Sequence, residues 1–358
     1  MSADSAAPQP TVSDTLQTST PQAPTVVVVI PFYNGAHFIE RSVRSVFEQS
    51  MPASEVIVVN DGSRPEERAA LDALAQRFPF RIIDKENGGQ GSARNAGVAA
   101  STAEYISFLD QDDFYLSNHI EILVKGIPAD EPRIGFIYAD LAEADGEGNI
   151  IRAAMVKDHT THHPKTSIFE MLRNDIFVLP SAALVSRKAF DAIGGFDTQF
   201  MGFEDDDLFL RIFRKGYTNH FIDKVVTVWC IHTGSTSFDM RMIRSRFKYF
   251  KKLVGMFPDE PRRNRYFLRD YLMPRFGRYF MDHVIEAVKA EDPNRVEMSA
   301  VLAEYAAIVY ANPAVGGRKK LELRATIFMV EHSPPAVIRA IGALTRLPGV
   351  RSLRRLLG

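Results

Sequence analysis

The chain has 358 residues, 46% hydrophobic and 24% charged, the makeup of a folded soluble protein with room for one large α/β domain and an addition. Its 43 basic and 44 acidic residues leave a net charge of -1, so no global field draws it to nucleic acid. The single cysteine, Cys230, excludes an intramolecular disulfide and a cysteine-rich zinc site. No apolar secretory run opens the chain, so a reducing, cytoplasmic setting is expected. No apolar run approaches the roughly 20 residues needed to span a bilayer, which limits any membrane contact to a peripheral one on the inner face.

Residues 1–24 are rich in Ser, Thr, Pro, Gln and Ala and read as a disordered tail, because they hold too little apolar surface to offset ordering entropy. Val26–Ile30 is a β-branched run suited to a strand buried on both faces, and Pro31-Phe32-Tyr33-Asn34-Gly35 stops it. Phe38, Ile39, Val43, Val46 and Phe47 then recur at helical spacing. Glu55–Val59 is a second strand, ending in Asn60-Asp61-Gly62-Ser63. Ser63-Arg64-Pro65-Glu66 reads as a capping box opening a helix to about Phe78. Phe80–Asp84 is a third strand, Asn87-Gly88-Gly89 a loop, Ser92–Ala100 a small-residue helix and Tyr105–Leu109 a fourth strand. This alternation predicts a mostly parallel sheet with helices on both faces.

Beyond Asp113 the pattern loosens. Ile134–Asp140, Val178–Val185 and Val225–Ile231 read as strands, and Lys157–Lys165, with His159, His162 and His163, as a solvated loop. Helices are expected from about Phe238, separated near Asp292-Pro293 and Asn312-Pro313. From Arg318 to Arg355 basic residues alternate with apolar ones. A basic amphipathic helix on anionic lipid and a packed helix with a solvated basic face both fit.

Chemistry gathers where apolar strands end in acids. Phe108-Leu109-Asp110-Gln111-Asp112-Asp113 puts three carboxylates at the C-terminal end of the fourth strand, the edge where open α/β sheets bind ligands. Crowded carboxylates repel unless a cation neutralises them, and hard oxygen ligands suit Mg²⁺ or Mn²⁺ shared with phosphates; a plain helix cap also fits. Asp61, on the same edge, can accept from a base imide or a ribose hydroxyl, or form a turn before Gly62. Asn87–Gly91 with Arg94 and Asn95 offers close backbone approach and a guanidinium for phosphate, although its glycines miss the dinucleotide fingerprint. Glu204-Asp205-Asp206-Asp207 opens a helix with more acids than capping needs, and their crowding pushes one carboxylate towards the pKa of a general base. His232 closes an apolar strand and is a candidate third metal ligand.

Pro31-Phe-Tyr-Asn34, Asp61-Gly-Ser63, Asn87-Gly-Gly89, Ser92-Ala-Arg94-Asn95, Asp110-Gln-Asp112-Asp113, Gly194-Gly-Phe-Asp197, Glu204-Asp205 and His232 follow one another in a specific order and spacing. With them, the stretch from about Thr25 to Ser237 resembles a family 2 glycosyltransferase of the GT-A fold. The resemblance implies a Rossmann-like, mostly parallel α/β sheet flanked by helices over residues 25–237, with a helical C-terminal extension over 238–358. It also implies an inverting enzyme that uses a nucleotide-diphospho-sugar, UDP-linked, and a divalent metal, Mn²⁺ or Mg²⁺. Pro31, Tyr33 and Asn34, with Asn87 and Gln111, would then line the nucleotide site, Asp61 would bind the base, and Arg94 would sit near base, ribose or phosphate. Asp110 would face the ribose, and Asp112 and His232 the metal. Glu204 and Asp205 would be the acceptor-side acidic pair, with Asp205 the base and Asp206 or Asp207 next in line. The acceptor would be a hydroxyl of a cell-envelope glycan or a lipid-linked glycan, and sugar choice would fall to Phe177–Ser181 and Met201–Phe203. A sugar-1-phosphate nucleotidyltransferase would want a glycine-rich loop where this chain has Pro31–Asn34. A non-enzymatic nucleotide-sugar-binding component of a polysaccharide assembly complex would lack one of Asp110, Asp112 and Asp205.

Overall fold

The computed structural model describes residues 23–158, 162–232 and 240–345, with side chains to residue 340. All of the expected tail up to residue 22, His159 and the stretch from Arg346 onward lie outside the described residues.

The first half alternates as expected: β1 (Val26–Phe32), α1 (Ala36–Phe47), β2 (Glu55–Asp61), α2 (Pro65–Ala75), β3 (Arg81–Lys85), α3 (Gln90–Ala99) and β4 (Tyr105–Phe108). Strand β1 is buried throughout because its successive side chains feed two cores. Val26, Val28 and Ile30 pack with Ile39 and Val43 of α1 and Leu71 of α2. Val27 and Val29 pack on the opposite face with Ala93 and Val98 of α3. Helix α3 lies so close that a Cβ on Gly97 would stand 2.4 Å from Val29, which explains its small-residue composition.

The chain continues through β5 (Phe114–Tyr115), α4 (His119–Lys125), β6 (Ile134–Ala144), β7 (Ile150–Arg152), α5 (Ile168–Arg173), β8 (Ala183–Ser186), α6 (Arg187–Ile193), α7 (Glu204–Arg214) and β9 (Thr218–Cys230). The strands form one sheet in the order β3-β2-β1-β4-β8-β6-β9-β5, with β7 beside β6. Neighbours from β3 to β4 are parallel, β8 runs antiparallel to both its neighbours, and β9 is parallel to β6.

Three local expectations need correction. The capping box does not form: Arg64 is the N-cap residue of α2, with Pro65 at its first position, and Ser63 Oγ instead accepts from Asn34 N–H at 3.1 Å. Val178–Val185 is not one strand, since Pro180 cannot donate to a ladder and a 3₁₀ turn at Pro180–Ala182 precedes β8. His163 is not a solvated loop residue: its Nδ1 lies 2.7 Å from Tyr138 Oη, and its ring stacks on Phe221.

The C-terminal part holds α8 (Met240–Met256), a π-helical stretch over Leu268–Gly277, α9 (Arg278–Lys289), α10 (Arg295–Ala311), α11 (Gly317–His332) and α12 (Pro335–Thr345). Its breaks include Asp292-Pro293 and Asn312-Pro313. Phe250, Phe276, Phe280 and Tyr305 form an aromatic cluster continuous with the core on the α3 face of the sheet. Basic residues of α11 are engaged locally: Lys319 pairs with Glu322, Lys320 donates to Tyr310 O, and Arg324 lies over the Tyr310 ring. No helix among the described residues is long and apolar enough to cross a membrane.

His119 illustrates how the core limits pH tolerance. It is fully buried, with Nε2 3.1 Å from Ser107 Oγ, Nδ1 3.0 Å from Thr227 Oγ1 and its ring stacked on Tyr115. Burial lowers its pKa to about 3. The unfolded chain takes up a proton below about pH 6.5 that the native state refuses, so this contribution is full above that pH and falls as pH drops. Urea unfolding at pH 7 and pH 5 should therefore show a loss of about 2 kcal/mol from His119, and a His119→Gln variant should lack that part of the slope.

Candidate active site

From β1 the chain steps outward to β2 and β3, then returns to place β4 on the other side of β1. The loops after β1 and β4 thus leave in opposite directions and open a crevice at the C-terminal strand ends. Residues 31–34 lie on one side and Asp110–Asp113 on the other. Gln111 ties the two by accepting from Tyr33 N–H at 2.9 Å and donating to Tyr33 O at 3.2 Å. A Cβ on Gly35 would meet that amide at 2.4 Å, so a larger residue there would displace Gln111 from Tyr33. Asn34 bridges to the β2 loop, its Oδ1 accepting from Arg64 N–H.

The three acids after β4 have separate surroundings. Asp110 Oδ1 accepts from Arg94 Nη2 at 2.6 Å and from Gln90 Nε2 at 2.7 Å. Asp112 Oδ2 lies 2.9 Å from His232 Nε2, whose ring stacks on Phe38. Burial and the neighbouring Asp110 raise the Asp112 carboxyl above its usual range. Asp113 is buried and accepts from Cys230 N–H at 2.9 Å, which fixes the loop to β9. Ser42 of α1 clamps the same loop by donating to its carbonyls.

The second acidic run reaches this crevice from α7. Gly202 at φ +103° and Phe203 at φ 64° turn the chain sharply into the helix, and a non-glycine residue in that region stores backbone strain. Arg94, only 2% exposed, then joins the two runs: Nη1 donates to Glu204 Oε1 at 3.0 Å while Nη2 holds Asp110. Asp206 pairs with Arg275 and accepts from Ile176 N–H, and Asp207 pairs with Arg211 and Lys252. Asp205 is the member of the run with no basic partner among the described residues. Burial, followed by the fields of Glu204 and Asp206, raises its carboxyl well above the usual range.

Residues 27–194 match the model for glycosyl transferase family 2. This stretch, a little under half of the chain, is similar to that family. A Rickettsia conorii protein described as an uncharacterized glycosyltransferase is 32% identical over 215 residues, 59% of this chain and 35% of its own. Hyaluronan synthase of Pasteurella multocida is 27% identical over 217 residues, 60% of this chain and 21% of its own. The chain spans about a third of the length of the first curated relatives it matches. Among solved structures, a mannosyltransferase from Pyrobaculum calidifontis superposes with a TM-score of 0.55 at 20% identity, over 87% of each chain. Residues 1–349 of S. aureus TarS do so with a TM-score of 0.60 at 16% identity, over 92% of each. Both likenesses concern the fold, which is of the GT-A type.

Within the crevice, several of the residues expected at the donor also engage one another. Asp61 is buried, and its carboxylate accepts from Gly88 N–H at 3.0 Å, Gly89 N–H at 2.8 Å and Lys85, so it organises the glycine loop. Asn87 donates to Asp61 O. Arg94 and Glu204 hold each other. Pro31 is buried at the end of β1, whereas Tyr33 stands half exposed at the crevice. Among the described residues no group of three or more His, Cys, Asp or Glu side chains is placed to hold a metal; Asp112 and His232 come together as a pair.

The sequence reading missed the basic residues behind α7. Arg275 is buried, binding Asp175 Oδ1 through Nε at 2.9 Å and reaching Asp206, while Arg246 meets both Asp175 oxygens at 3.1 Å. One signal was available. Arg275 is a lone charge in Leu272-Met273-Pro274-Arg275-Phe276, and a charge inside an apolar run needs an internal partner.

Proposed function

We propose that the chain is a metal-dependent, inverting transferase that moves a sugar from a nucleotide-diphospho-sugar, UDP-linked, to a hydroxyl of a cell-envelope glycan or lipid-linked acceptor. The carrying observation is the Arg94 bridge, which brings Asp110 and Glu204 to one guanidinium and so sets a donor-side acid cluster beside Asp205. Asp205 takes the acceptor hydroxyl proton while that oxygen bonds to the anomeric carbon and the bond to the diphosphate oxygen breaks. With Glu204, Asp206 and Asp207 all ion-paired, one carboxylate is left for the reaction, which fits a single inverting displacement rather than a covalent glycosyl intermediate.

Asp112 and His232 fit Mn²⁺ or Mg²⁺: a carboxylate and an imidazole already 2.9 Å apart, in a crowded acidic loop that a cation would relieve. When bound, the ion supplies Lewis-acid stabilisation of the leaving diphosphate. The Pyrobaculum mannosyltransferase was obtained with GDP-Man and Mn²⁺, and TarS with UDP-GlcNAc, which supports a nucleotide-sugar donor here. Tyr33, Asn34, Asn87 and Gln111 would frame that donor. Asp61 and Arg94 would support it through the loop and the ion pair. A cytoplasmic position, with residues 238–358 meeting the inner face of the membrane, belongs to the same reading.

A panel of UDP- and GDP-sugars with Mn²⁺, followed by calorimetry and donor hydrolysis, tests it. At least one donor should bind, and Asp112→Ala should weaken it at least tenfold, about 1.4 kcal/mol. An absence of binding across the panel, with Asp112→Ala indistinguishable from wild type, would remove the enzymatic mechanism.

A further inference from the structure

A small cleft lies behind α7, away from the Asp110–Asp113 loop, where the segment entering α5 meets the segment leaving it. Lys165, Ser167, Glu170, Asn174, Asp175 and Ile176 line it. Lys165 is 6% exposed, yet its ammonium makes no hydrogen bond or ion pair among the described residues; its nearest ring is Tyr138, 6.0 Å away. Its backbone, by contrast, is fixed on both sides by Asn219, so the side chain is presented from a rigid position.

The carboxylates and the serine of the wall are engaged. Asp175 is held by Arg246 and Arg275. Glu170 Oε2 accepts from Asn174 Nδ2 at 3.1 Å, and Ser167 Oγ caps α5. Lys165 is an open donor, with His162 and Thr166 beside it in the lining. A buried ammonium without an anion is costly, and burial does lower this one, to about 8 against the opposing field of Asp206. It therefore remains largely charged at neutral pH, inside a cleft that offers it no counter-charge at contact.

The cleft of about 60 Å³ has room for a few waters or one oxyanion group, not for a sugar ring. A ligand must reach in with a substituent. The position says which ligand: Ile176, on the cleft wall, donates to Asp206, the residue after Asp205. The cleft wall is thus tied to the helix end that also carries Asp205.

We propose that Lys165 forms an acceptor subsite that takes a carboxylate or phosphate oxygen carried by the acceptor glycan, so that the enzyme selects anionic over neutral acceptors. This rests on the reading of Asp205 as the acceptor-side base.

The test follows Lys165 directly, in full-length protein with ¹³C-labelled lysine side chains, using the ε-CH₂ resonance at pH 7. Lys165→Met assigns the signal by its disappearance, and Lys165→Arg assigns it equally if the methionine variant does not fold. Titration with glucuronate and, separately, with inorganic phosphate, both in saturating UDP and Mn²⁺ to fill the donor site, should move this resonance saturably with at least one anion. Kd should fall near the millimolar range, about 4 kcal/mol of binding. Response to glucuronate alone identifies a uronate-bearing acceptor, response to phosphate a phosphodiester-linked one. An unmoved resonance with both anions overturns the subsite. Turnover does not enter this readout, so a failed transferase reading shows in donor binding and hydrolysis while the subsite is judged separately.

Discussion

Asp205→Asn should bind the nucleotide-sugar donor as the wild type does and lose transfer by about 10²- to 10⁴-fold, the usual cost of removing a general base. The asparagine keeps the shape of the side chain and the helix N-terminus, and removes only the proposed ability to take the acceptor proton. The pH profile sharpens the test. Burial, then Glu204 and Asp206, hold the Asp205 carboxyl above its ordinary range, so it stays protonated, and inactive as a base, to higher pH than an exposed aspartate. Transfer should therefore rise with pH through that elevated pKa and fall away on the acid side, and the residual rate of Asp205→Asn should lack this limb. Steady-state kinetics from pH 5 to 8, with calorimetry for the donor, checks both parts. Transfer at wild-type rate in Asp205→Asn would assign the proton to another group. Asp206 and Asp207 are poor substitutes, since Arg275, Arg211 and Lys252 already occupy their carboxylates.

The same acids show how far the sequence could be read. The Val26–Ile30 run, the alternation after it and the strand-end acid run Asp110–Asp113 have local causes, namely β-branching, periodicity and abrupt changes of polarity. They were legible for that reason, and so was the sheet edge where the acids meet. What remained hidden is pairing across the fold. Nothing near Arg94 in the chain indicates that its two nitrogens reach Asp110 and Glu204, 16 and 110 residues away. The hold of Asp61 on the amides of Gly88 and Gly89 was hidden in the same way, since they lie 27 and 28 residues on. The sequence left Asp206 or Asp207 as alternatives to Asp205, and only the partners Arg275, Arg211, Lys252 and Arg94 distinguish the four acids. Basic residues from Arg318 to Arg355 read as a solvated face or a membrane face, because amphipathic spacing cannot tell a cation facing water from one facing lipid.

Arg94→Met should destabilise the protein by about 3–5 kcal/mol, the range for removing one member of a buried ion-pair set and leaving the others uncompensated. The side chain is 2% exposed and packs its guanidinium beside Phe108 and Phe196, so water cannot readily replace it. Methionine fills similar volume, which keeps cavity effects small and makes the loss electrostatic. Urea unfolding should show a lower midpoint at unchanged m-value. Adding Glu204→Gln to Arg94→Met should recover part of the loss, because one stranded charge is then removed, and the double-mutant cycle should show coupling of about 0.5–3 kcal/mol. A destabilisation below about 1 kcal/mol, typical of exposed pairs, would mean that the bridge is solvated and does not lock the two halves together. Donor affinity should fall with stability in Arg94→Met, since Asp110 loses its position. In Glu204→Gln alone it should hold better, because Arg94 keeps Asp110. That difference separates the role of Arg94 in building the donor side from its role in holding the acceptor-side helix against it.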